Sequence, residues 1–65
     1  MKEGTLIVLD VNVTLSTSKT ESITIEKGTV GKIVGQAKNS NYFVSLPGIL
    51  AELDSYWLKE YCDHQ

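Results

Sequence analysis

Apolar and polar residues alternate over the first stretch of the chain. Ile7, Leu9, Val11, Val13 and Leu15 fall on one parity and Asp10, Asn12 and Thr14 on the other. A period of two places one face of a β-strand in a core. Residues 5–15 are therefore expected to form a strand with Ile7, Leu9, Val11 and Val13 inward and Asp10 on the wetter face. The stretch STSKTES at 16–22 has no apolar member and reads as an exposed loop. Ile23 and Ile25 alternate again before a turn at Lys27-Gly28, and a β-rich run follows through Val30, Ile33 and Val34. AKNSN is a second polar turn.

YFVSLPG then reads as a short strand ended by Pro47 and Gly48, because proline has no amide to donate and glycine permits the turn. The run ILAELDSYWLKEY is two-sided. Ile49, Leu50, Leu53, Trp57 and Leu58 recur near helical spacing, yet Pro47-Gly48 precedes them and Asp54-Ser55 interrupts them. A strand, one helical turn and a terminal strand fit equally well, and that description is preferred. The expected architecture is all-β: five short strands in a small barrel that removes its own sheet edges, with one short helical turn near the C-terminus.

Length and charge narrow the function. A chain of 65 residues buries only about 60% of its extended surface, so one domain spanning 1–65 is expected. Carving a catalytic cleft from so small a core leaves too few residues to hold a nucleophile and its supporting groups in register, whereas binding across an outer surface needs no cavity. Cys62 is the single cysteine. No internal disulfide is possible, and a reducing, cytoplasmic setting is expected. Residues 62–65 are expected to fray. No leader pattern and no apolar run near the roughly 20 residues that span a bilayer are apparent, so no membrane partner is expected. Asn12-Val13-Thr14 matches a glycosylation sequon but lies inside the alternating run.

The formal net charge is −2, and the basic residues are all lysine. Arginine is the usual residue for bidentate recognition of phosphates and guanine edges, so its absence weighs against sequence-specific nucleic-acid binding. After position 50, Glu52, Asp54, Glu60 and Asp63 face only Lys59. Such an end repels phosphate backbones and attracts basic surfaces.

EKGTVGKIVG, then YFVSLPG, then an acidic-apolar segment ending in WLKEY resemble the SH3-like barrel superfamily, particularly its bacterial stand-alone and KOW-like members. The resemblance covers most of the chain and includes glycines at a strand kink, here Gly28 and Gly31. It implies that residues 14–24 form the long first hairpin loop, 36–41 the next loop and 53–57 a single helical turn, all around a partner groove. Tyr42, Tyr56, Trp57 and Tyr61 are available as groove aromatics, but STSKTES lacks the tyrosines that line a proline-peptide groove. KOW-like relatives bind RNA or polymerase through a basic loop. This loop has Lys19 against Glu21.

Two motifs imitate catalysis. LIVLDVNVTL resembles the first motif of the haloacid dehalogenase superfamily, D-x-D-x-[TV]-[LV], whose first aspartate takes a phosphoryl group. Asn12 stands where the acid-base aspartate belongs, and an amide cannot donate and recover a proton near neutral pH. GTVGKI imitates a phosphate loop, but the G-x-x-x-x-G-K-[ST] spacing is broken and Ile33 replaces the hydroxyl. Cys62, Asp63 and His64 are consecutive, with no partner pair elsewhere to complete a metal site. No catalytic residue, cofactor or metal is expected.

The leading expectation is a non-enzymatic module that binds a larger protein through its loops and an acidic, aromatic C-terminal face made of Tyr42, Glu52, Asp54, Tyr56 and Trp57. The alternatives are a KOW-like RNA-, ribosome- or polymerase-associated module and an acidic, phage-type inhibitor of a host enzyme.

Overall fold

The computed structural model describes residues 2–64. They form a mostly β structure with one short helix, in the order β1 (Leu6–Leu9), β2 (Val13–Ser16), β3 (Ser22–Ile25), β4 (Val30–Gln36), β5 (Asn41–Leu46), β6 (Ile49–Asp54), α1 (Ser55–Tyr61) and β7 (Cys62–His64). Five strands make one sheet in the order β6-β5-β4-β1-β7, and β2 pairs with β3 in a separate hairpin. Adjacent strands in both sheets run antiparallel.

This corrects the expected five-stranded barrel. Among the described residues there are seven strands in two sheets, and neither sheet closes on itself. One reason lies in residues 10–12, where the expected continuous strand breaks. The Asp10 N–H donates to the Tyr61 carbonyl at 2.8 Å, and the Asn12 side-chain oxygen accepts the Lys27 N–H at 2.7 Å. The first bond extends the β1–β7 register by one pair, setting Asp10 opposite Tyr61, and the second holds the chain in the corner that follows. The chain then pairs Val13 with Ile25 in the second sheet. Alternation survives the corner, which is why the pattern alone does not reveal it.

A second correction concerns the end of the chain. Cys62–His64 is not a frayed tail: it pairs with β1 in the register Ile7↔His64, Val8↔Asp63 and Leu9↔Cys62. Cys62 is 4% exposed, and its N–H donates to the Leu58 carbonyl at the end of α1. Burial of the Cys62 side chain and pairing with β1 both oppose the freedom lost by ordering these residues. Gln65 lies outside the described residues. The helical segment also shifts, from the expected single turn at 53–57 to Ser55–Tyr61, because Leu53 and Asp54 finish β6.

The core lies between the inner face of the five-stranded sheet, the β2–β3 hairpin and α1. Ile7, Leu9, Ile25, Ile33, Val44, Leu46, Ala51, Leu58 and Cys62 are buried, and Val13, Leu15, Ile23, Tyr42, Ile49, Leu53 and Trp57 pack against them. Gly31 is required by this packing. A Cβ there would sit 2.7 Å from Leu46 Cδ2 and 3.2 Å from the Ser45 carbonyl, so the glycine of GTVGKI is explained by close strand approach. No described helix is long and apolar enough to cross a membrane.

Candidate partner-binding face

Strand parity decides what each candidate residue presents. Val44 and Leu46 point into the core, so Tyr42 shares their side and packs against the core half-buried, while Phe43 takes the outer face. In β6, Ala51 points inward with Leu53, and Leu50, Glu52 and Asp54 point out. Phe43 and Glu52 are direct cross-strand partners. On the other side Phe43 opposes Gly35, beside an irregularity in the β4–β5 register.

Glu52 is held in place. Asn41 Nδ2 donates to Glu52 Oε2 at 2.7 Å. Together with Gln36, Ala37, Lys38 and Phe43 it lines an open depression of about 550 Å³ at the β4–β5 end of the sheet. The turn at this end, Lys38–Asn41, closes with an Asn41 N–H to Lys38 carbonyl bond, and its central residues Asn39 and Ser40 have φ of 59° and 68°. Two positive φ values define a type I′ turn, whose twist matches the flanking strands.

Asp54 has a structural task of its own. Its Oδ1 accepts the Tyr56 N–H at 2.7 Å, capping α1. The start of the helix is tied to the turn because the Ser55 N–H donates to the Ser40 carbonyl. Tyr56 is thereby presented beside the turn at 72% exposure. Trp57 instead packs half-buried on the core, with Tyr61 one helical turn on; the two ring centroids are 5.3 Å apart at 50°.

Of the five residues expected at the site, the fold therefore exposes Glu52, Asp54 and Tyr56 at one end and turns Tyr42 and Trp57 toward the core. The aromatic beside Glu52 is Phe43. The signal for it was present in the sequence: Val44 and Leu46 identify the inward parity of β5, and Phe43 falls on the other. The rest of this outer face is also apolar in part, with Leu6, Val30, Val34 and Leu50 exposed.

The residues that imitated catalysis have structural partners. Asp10 sits on the corner through its backbone, and the Asn12 amide oxygen is occupied by Lys27. The Cys62 thiol faces the core, and its pKa is pushed up to about 11 by burial first and then by the carboxylates of Asp10 and Asp63. A thiol held protonated is a poor nucleophile at neutral pH. Comparison with protein-family models, curated proteins and solved structures finds no match for this chain.

Proposed function

We propose that this domain is a non-enzymatic binding module that docks on a protein with a basic surface through Phe43, Glu52, Asp54 and Tyr56. The observation that carries the proposal is the direct pairing of Phe43 with Glu52 on the exposed face of β5 and β6. An aromatic ring beside a carboxylate combines an apolar anchor with charge that steers a basic partner. Tyr56, displayed next to the capping carboxylate of Asp54, extends the same combination around the end of the sheet. Glu52 and Asp54 disfavour a phosphate backbone at this face, so protein is the better partner than RNA. An inhibitor occupying a basic site on a larger enzyme would use the same groups.

The order of elements supports an SH3-like assignment. The β2–β3 hairpin, the Lys38–Asn41 turn and α1 overlap the three segments that the resemblance puts around a groove, 14–24, 36–41 and 53–57, although among the described residues the sheets are not closed into a barrel. In this reading the protein acts in the cytoplasm as an adaptor and carries no cofactor.

Affinity capture from a cell lysate with the wild-type chain and with Glu52→Lys tests the proposal. Proteins with basic surfaces should be retained by the wild type, and released by both the charge reversal and moderate salt. Equal retention by the two chains would place the contact elsewhere.

A further inference from the structure

The two edges of the five-stranded sheet are unequal. β7 is three residues long, and a short edge strand offers little to an incoming chain. β6 is six residues long, ILAELD, with β5 on one side and, among the described residues, no strand on the other. It carries no lysine, no proline and no register irregularity; of the devices that protect an edge it has only the carboxylates of Glu52 and Asp54 on its outer face.

The turn between β5 and β6 shows which backbone groups face outward. Pro47 and Gly48 form a two-residue connection with Leu46 opposite Ile49, and Gly48 takes φ 84°. In such a hairpin the flanking pair is hydrogen-bonded, and bonded pairs then alternate. Ile49, Ala51 and Leu53 therefore bond to β5, and Leu50 and Glu52 direct their N–H and C=O groups away from the sheet.

We propose that two copies of this chain join edge to edge through β6, antiparallel about a two-fold axis at Ala51. Leu50 of one copy then exchanges a reciprocal pair of backbone hydrogen bonds with Glu52 of the second copy, once on each side of the axis. Ala51 meets its counterpart in a closely spaced non-bonded pair, where a small side chain fits. Ile49 meets Leu53, and these half-buried residues gain cover from each other on the core side.

Self-complementarity selects this register and this occupant. A shift of one residue in the pairing sets inward residues against outward ones. Centring on Glu52 puts two carboxylates directly opposite, which is destabilising. Centring on Leu50 runs the strand into Pro47-Gly48 and shortens the ladder. With Ala51 central, each Glu52 faces Leu50, a side chain 61% exposed in the single chain. The two glutamates remain diagonal neighbours at roughly 7–8 Å, so association should strengthen as salt screens them.

Analytical ultracentrifugation of the wild type and of Leu50→Pro tests the proposal. The proline removes an outward N–H and none of the β5 ladder, so it should leave a folded chain with unchanged circular dichroism that sediments as a monomer, where the wild type sediments as a concentration-dependent dimer. A wild type that is monomeric up to its solubility limit would overturn the proposal. So would a folded Leu50→Pro chain that still dimerises. If Leu50→Pro does not fold, oxidative cross-linking decides: Ala51→Cys should give a covalent dimer and Leu50→Cys should not, and the reverse order would refute the register. Mass reads this proposal and lysate capture reads the partner-binding one, so either can fail alone.

Discussion

The amide oxygen of Asn12 accepts the backbone N–H of Lys27 at 2.7 Å, fastening the corner after β1 to the turn before β4. Residues 15 positions apart are thereby locked where the chain leaves one sheet for the other. Replacing Asn12 with alanine should lower stability by about 1 kcal/mol, read as a shift in urea midpoint at unchanged slope. Asn12→Asp keeps an acceptor and should lose less. Equal losses in the two variants would show that this bond does not hold the corner.

Leu58 is the fully buried residue of α1, joining the helix to the core beneath both sheets. Leu58→Ala should cost about 2–5 kcal/mol, enough to unfold much of a domain this small. Val11 offers the contrast. It is only half-buried, at the corner between β1 and β2, and Val11→Ala should leave a cooperative thermal transition close to that of the wild type. Similar melting losses in the two variants would contradict the placement of the core.

The Cys62 thiol, ordinarily near 9.0, is raised to about 11 in the folded chain. Burial favours its neutral form, so the stability it supports is fully present below pH 9. That stability should decline as pH rises from about 9 toward about 11, where the unfolded chain releases the proton that the folded chain keeps. Denaturant titrations across this range should show a steeper decline for wild type than for Cys62→Ala. Asp10→Asn removes a nearby negative charge and should lower the thiol pKa, measured by thiolate absorbance. An unchanged or higher value would contradict the charge contribution.

Ser40 sits at φ 68° in the Lys38–Asn41 turn, a conformation that side chains disfavour and glycine accepts. Ser40→Gly should therefore raise the melting temperature, corresponding to a gain of up to about 1 kcal/mol. A lower melting temperature would show that the serine contributes more than its backbone strain removes.

Much of this fold was legible in the sequence because its strands alternate cleanly. Ile7 and Leu9, Ile23 and Ile25, and Val44 and Leu46 all face the core as their parity implies. The corner at 10–12 was not legible: its cause is a bond from Asn12 to a backbone group far along the chain, while the alternation runs through it unbroken. The terminal strand was hidden for a related reason. Cys62–His64 is ordered by β1, and its own three residues carry no pattern. At the candidate face the carboxylates of Glu52 and Asp54 were readable from composition. The exchange of Tyr42 for Phe43 follows from applying to β5 the same parity rule that located the core.

The most direct test of partner docking is the kinetics of the captured partner binding to folded Glu52→Lys and Phe43→Ala chains. Charge reversal at Glu52 should slow association, with the difference fading at high salt, and loss of the Phe43 ring should speed dissociation. Association and dissociation rates equal to the wild type in both variants would contradict the account and remove the β5–β6 face as the binding surface.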